Sequence, residues 1–86
     1  MKNEKLLDFG KQEAGYERLY PSHENFKKNI GAKICYVDFV EPHRGTYFVR
    51  YAQIHSVMRS RLFLDDGFKE VDIRDIIDCG IKTKEQ

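Results

Sequence analysis

From Lys33 onward the chain alternates in twos. In the segment Lys33-Ile-Cys-Tyr-Val-Asp-Phe39 the two interleaved sets, Ile34/Tyr36 and Cys35/Val37, are both apolar. Successive side chains on a strand point to opposite faces, so a strand with two apolar sets is covered on both sides. One face is expected to meet an interior and the other the N-terminal helices. Thr46 to Met58 extends the β-rich pattern through Tyr47, Phe48, Val49, Tyr51, Ile54 and Val57. Alternation fails between Ile54 and Val57, which predicts a bulge or sharp bend of the kind small barrels use to turn corners. Arg61-Leu-Phe-Leu64 is a short strand, Asp65-Asp66-Gly67 has hairpin chemistry, and Lys69 to Ile73 returns with Val71 and Ile73 on one face. Glu41-Pro42-His43-Arg44-Gly45 is a break that resists pairing. Ile73, Ile76 and Ile77 are spaced like a helical turn that Gly80 could end, and Ile81-Lys82 could be a last strand; the spacing leaves residues 74–79 open.

Ahead of Lys33 the period changes. Leu6, Phe9, Tyr16 and Tyr20 fall loosely on one helical face, interrupted by Gly10 and Gly15, each costing about 1 kcal/mol relative to Ala in a helix. A broken helix is expected over Asn3 to Tyr20. After Pro21, Ser22 is a good N-cap for a short helix through Asn29, with Gly31 as a left-handed stop. The expected fold is mainly β (α+β). A small five-stranded antiparallel barrel spans residues 31–86, and an N-terminal segment, residues 1–30, packs one or two helices on it.

The bulk properties bound the function. A chain of 86 residues, 41% hydrophobic and 34% charged, is one folded domain with a thin core. No apolar run approaches the roughly 20 residues that span a bilayer, and the first ten residues lack a signal-peptide core, so cytoplasm is the expected compartment. There, Cys35 and Cys79 are expected to be separate reduced thiols. Charge is uneven: residues 41–64 are net +3 and residues 65–86 net −3. That polarity could orient a partner, but self-complementarity within a small barrel is the simpler expectation.

The segments Gly31-Ala-Lys-Ile-Cys-Tyr36, Tyr51-Ala-Gln-Ile54, Leu62-Phe-Leu-Asp-Asp-Gly67 and Val71-Asp-Ile-Arg-Asp-Ile-Ile77, in that order, resemble the Tudor-type member of the Src-homology-3-like small barrels. The resemblance covers about residues 30–82 and implies an SH3-like barrel. In that family an aromatic cage often binds methylated Lys or Arg. The positions that look equivalent to the cage are Asp38, Arg50, Asp65 and Phe68. Only Phe68 is aromatic, and Arg50 would repel a cation, so methyl-cation reading is not expected here.

Catalytic chemistry finds little support. Cys35, Cys79, His23, His43 and His55 form no short-range metal-ligand pair, and Cys35 lies mid-strand among apolar neighbours that disfavour a thiolate. Asp65 and Asp66 read as turn formers, and Asp72, Asp75 and Asp78 as solvent-facing positions around the isoleucines. The six glycines are scattered, so no phosphate loop exists. An enzyme, a metal and a small-molecule cofactor are therefore not expected. The constellation that remains is basic and aromatic: Arg44, Tyr47, Arg50, Tyr51, Arg59, Arg61 and Phe63, with Phe48 beside them. The expected function is a non-catalytic binding module or small regulatory adaptor that contacts a protein, or a second copy of itself, through this Arg44–Arg61 face. The alternative is an accessory protein that holds single-stranded nucleic acid or RNA by phosphate contact and stacking. Its size and lack of motifs would suit the cargo of a mobile genetic element.

Overall fold

A computed structural model describes residues 7, 14–41, 43–44 and 46–82 of the chain. The strands are β1 (Tyr16–Arg18), β2 (Lys33–Glu41), β3 (Thr46–Met58), β4 (Arg61–Leu64), β5 (Lys69–Asp72) and β6 (Cys79–Lys82). One α-helix, α1 (His23–Lys28), and one 3-10 helix, Ile73–Asp75, complete the elements. All pairings are antiparallel, and the sheet runs β1-β6-β2-β3-β4-β5. No helix among the described residues is long and apolar enough to cross a membrane.

Three expectations are corrected. Among the described residues the sheet has six strands, not five, and it is open: β1 and β5 stand at its two ends, so it is not a closed barrel. One α-helix is present among the described residues, where one or two were expected. The end of the segment expected to be helical is β1, drawn into extended form by pairing Tyr16 with Lys82 and Arg18 with Gly80. Most of the remainder of that segment lies outside the described residues. Three residues are too few to show a period, so the helix-like spacing of Tyr16 and Tyr20 misleads.

The two-faced reading of β2 holds, but the helix expected to cover the outer face packs on the core side instead. Ile34 and Tyr36 join Phe26, Ile54, Leu62, Leu64, Ile73, Ile76, Cys79 and Ile81 in the main core. α1 therefore packs on the core side through Phe26, which is fully buried. Ser22 caps it by accepting the Asn25 N–H at 3.1 Å, and Gly31 beyond it takes φ +95°. The opposite face of β2, Cys35 and Val37, is covered by Leu7, with Tyr16, Tyr47 and Val49 packed around them.

Bends set the directions of the long strands. The β3–β4 register slips between Ile54 and Ser56, where alternation breaks in the sequence. A second slip, between Val37 and Phe39 in β2, makes Asp38 the extra residue. Gly67, at φ +93°, closes the β4–β5 hairpin, with the His55 ring 3.2 Å from where a Cβ would sit. Of residues 73–79, Ile73–Asp75 form the 3-10 helix, capped by Asp72, and Cys79 begins β6.

Candidate functional site

Directly opposed residues in an antiparallel ladder share a face, so the register assembles a surface from four strands. Cys35 faces Tyr51 across one side and Gly80 across the other; Val37 faces Val49; Arg18 faces Gly80; Tyr16 faces Lys82. Tyr16 and Arg18, Gly80 and Lys82, Cys35 and Val37, and Tyr47, Val49 and Tyr51 thus lie on the side away from the main core. We call this the tyrosine face. Tyr51 is 55% exposed, and its ring meets that of Tyr16 edge-on, with centroids 5.9 Å apart and planes at 62°. Lys82 Nζ lies 5.2 Å from the Tyr16 ring centroid. Burial raises the Tyr16 phenol above its ordinary range, and the neighbouring Cys35 adds to the shift.

Leu7 is buried on this surface between polar partners. Asp78 Oδ2 accepts the Leu7 N–H at 2.9 Å, and Arg18 Nη2 donates to the Leu7 carbonyl at 3.1 Å. Arg18 Nη1 also donates to Asp78 Oδ1, so the two side chains are paired with each other. The Asp78 carbonyl in turn accepts the Val37 N–H at 3.0 Å, fixing the carboxylate against β2. Together they read the donor and acceptor of one residue, whose aliphatic side chain enters the Cys35/Val37 cluster. The Leu7 backbone is thus held by two side chains instead of by a strand ladder. Asp78 is 4% exposed, which corrects its reading as solvent-facing. Its desolvation is tolerated because charge-assisted bonds meet it.

The seven basic and aromatic candidates do not form one surface. Tyr47 and Tyr51 share the tyrosine face; Tyr47 is half-buried against Cys35 and Val37. Arg50 projects from the opposite face of β3, opposed to Tyr36, and its Nε donates to Asp38 at 3.0 Å. Arg61 and Phe63 alternate with the core residues Leu62 and Leu64 on β4; Arg61 Nη1 bonds Glu70 at 2.7 Å, and Phe63 is half-buried. Arg44 is exposed in the β2–β3 connection, and Arg59 occupies the β3–β4 turn at φ +56°. Strand parity separates Arg50 from the tyrosines, and the Ile54/Ser56 bulge changes the parity again before β4. Of the cage-equivalent positions, Asp38 and Arg50 are paired together, Asp65 accepts the Gln53 N–H at 3.1 Å, and Phe68 is 91% exposed.

Leu7, Tyr16, Arg18, Asp78 and Lys82 were not predicted as site residues. Tyr16 and Arg18 carry a weak signal, an i, i+2 pair that shares a face once β1 is known to be a strand. Asp78 carries none, because its partners lie 71 and 60 positions away.

Neither Cys35 nor Cys79 is in a disulfide, and both are buried. Tyr36 opposes Cys79 while Cys35 opposes Gly80, so the thiols point to opposite faces of the sheet and cannot join. Burial, reinforced by Asp78 and Cys35 and opposed by Arg18, pushes the Cys79 thiol up to about 12; its Sγ donates to the Leu19 carbonyl at 3.1 Å. A thiol held protonated to that pH is not a nucleophile at neutrality. Among the described residues no group of three or more His, Cys, Asp and Glu could hold a metal ion. Comparison with family models, curated proteins and solved structures finds no match.

Proposed function

We propose that the chain is a non-catalytic protein-interaction module whose contact surface is the tyrosine face and whose ligand is a peptide segment presenting an aliphatic side chain. The observation that carries this reading is the Arg18–Asp78 clamp, which already holds one residue by its N–H, its C=O and its side chain. Tyr51 and Tyr16 rim the clamp with rigid amphipathic rings of the kind that dominate binding energy at interfaces. Charge pairing argues in the same direction. Arg50 and Arg61, central to a phosphate-binding reading, are already met by Asp38 and Glu70. The uneven charge along the sequence is thus partly self-complementary, as Arg61 of the basic middle and Glu70 of the acidic end illustrate. The chain order of β2, loop, long bent β3, β4–β5 hairpin, 3-10 helix and β6 is the order on which the likeness to Src-homology-3-like barrels rests, and it supports that kinship as part of this reading.

The test is selection of binders to the full chain from a random peptide library. The expected binders carry a Leu, Ile or Val, lose at least about tenfold in affinity with Tyr51→Ala, as a hot-spot truncation does, and keep their affinity with Arg61→Ala. Binding of single-stranded nucleic acid that needs Arg50 and Arg61, ignores Tyr51 and falls steeply with salt would assign the other function.

A further inference from the structure

We infer that the clamp's partner is the N-terminal segment of a second copy of this chain, so that two copies exchange Leu7 reciprocally. The inference rests on the interaction reading above and deepens it by naming the ligand. The occupant seated in the structure is this chain's own Leu7, held by Asp78 Oδ2 at 2.9 Å and Arg18 Nη2 at 3.1 Å, with its side chain against Cys35 and Val37. A second copy carries the same residue in the same context. Each contact made within a chain is therefore available between chains without a new interface having to be built, which is the thermodynamic basis of domain swapping. The clamp supports exchange because its polar part reads only an N–H and a C=O, which every copy presents identically. The connection also supplies a hinge. Gly15, at φ +91°, lies in the turn immediately ahead of β1, and glycine can leave that conformation for another at little steric cost.

Concentration decides which arrangement prevails. A segment tethered this closely to its site has an effective concentration in the millimolar range. At micromolar protein the chain keeps its own Leu7, and near-millimolar protein, refolded together, exchanges it. Exchange gives a closed two-fold dimer, since both clamps are filled and no end is left open.

The experiment uses the full wild-type chain. Equal amounts of chain labelled on leucine methyls and chain labelled on valine methyls are mixed in denaturant. They are refolded at about 10 µM and at about 1 mM, the latter matching the effective concentration, then examined by light scattering and by methyl NOE spectroscopy. The expected result is a monomer at the lower concentration and a doubled mass at the higher. The dimer shows an NOE between Leu7 methyls of one copy and Val37 methyls of the other. A monomer at both concentrations overturns the exchange, and so does a dimer without that intermolecular NOE. Neither result touches the peptide-library outcome, so the failure of this inference and the failure of the interaction reading are told apart. Leu7→Asp in the full chain adds an independent measure. A labelled peptide of residues 1–13 should bind the vacated clamp at least tenfold tighter than it binds wild type, and equal binding to the two overturns the inference.

Discussion

Truncating the two members of the clamp should have unequal effects, and removing both should be milder than removing the arginine alone. Arg18→Ala leaves the Asp78 carboxylate 4% exposed, with the Leu7 N–H still bonded and the guanidinium gone. Removing one partner of a buried ion pair costs about 3–5 kcal/mol. Because the Arg18 side chain is 37% exposed, water can replace part of what it supplied, and we take about 2–4 kcal/mol. Asp78→Ala removes the carboxylate itself, so its desolvation penalty disappears with its hydrogen bonds, and the freed guanidinium can turn to solvent. The net loss should be about 1–2 kcal/mol. The double variant should then resemble Asp78→Ala, so that Asp78→Ala partly rescues Arg18→Ala and the coupling is about 2–4 kcal/mol. A chain of this length is stable by about 4–13 kcal/mol, so the Arg18 effect is a large share of the total. Urea denaturation followed by circular dichroism resolves it: with a slope near 1 kcal/mol/M, Arg18→Ala lowers the midpoint by about 2–4 M and Asp78→Ala by about half that. Two results would refute the reasoning. One is a double-variant loss equal to the sum of the singles within about 0.5 kcal/mol; the other is Asp78→Ala costing more than Arg18→Ala.

Two further predictions follow from buried polar atoms. The Tyr36 phenol oxygen is buried and has no hydrogen-bond partner among the described residues, so Tyr36→Phe should raise stability by about 1 kcal/mol, read as a higher melting temperature; a fall of that size would show that the hydroxyl is satisfied in solution. Cys79 keeps its proton in the folded chain up to about 12 while the unfolded thiol loses it near 9. The folded state binds more protons in that window, so stability is full below about pH 9 and declines as pH rises towards 12. The raised Tyr16 and Tyr36 phenols add a loss of the same sign that begins near 10. Urea melts at pH 7 to 11 should show the decline, and Cys79→Ala should delay its onset from about 9 to about 10.

Much of the sheet was legible because its signals are local. Both faces of β2 could be read from Ile34/Tyr36 and Cys35/Val37, the β3 bend from the three-residue step Ile54 to Val57, and the hairpin from Asp65-Asp66-Gly67. The helix cap was as plain, since Ser22 bonds a residue three positions on. What could not be read depends on distant partners. β1 exists because β6 pairs with it, and the sheet stays open because its two end strands, β1 and β5, are not paired with each other. Asp78 looks like its neighbours Asp72 and Asp75, and only Arg18 and Leu7 distinguish it. The candidate face was partly legible: Tyr47 and Tyr51 share parity on one strand, and Arg50, of opposite parity, could have been separated from them by counting. The slip at Ile54/Ser56 is what prevents that count from being carried on to Arg61 and Phe63.

The place of β6 has a consequence for biosynthesis. Arg18 leaves the ribosome early and Asp78 follows 60 positions later, which at about 5–20 residues per second is roughly 3–12 s. Throughout that interval β1 has no neighbour, one edge of β2 is unpaired, and the clamp lacks its carboxylate. Nascent chains on adjacent ribosomes of one message would meet in that state, each with a free Leu7 and an unfinished site. Crowding of nascent chains would then raise the local concentration that decides how often another copy's segment is captured.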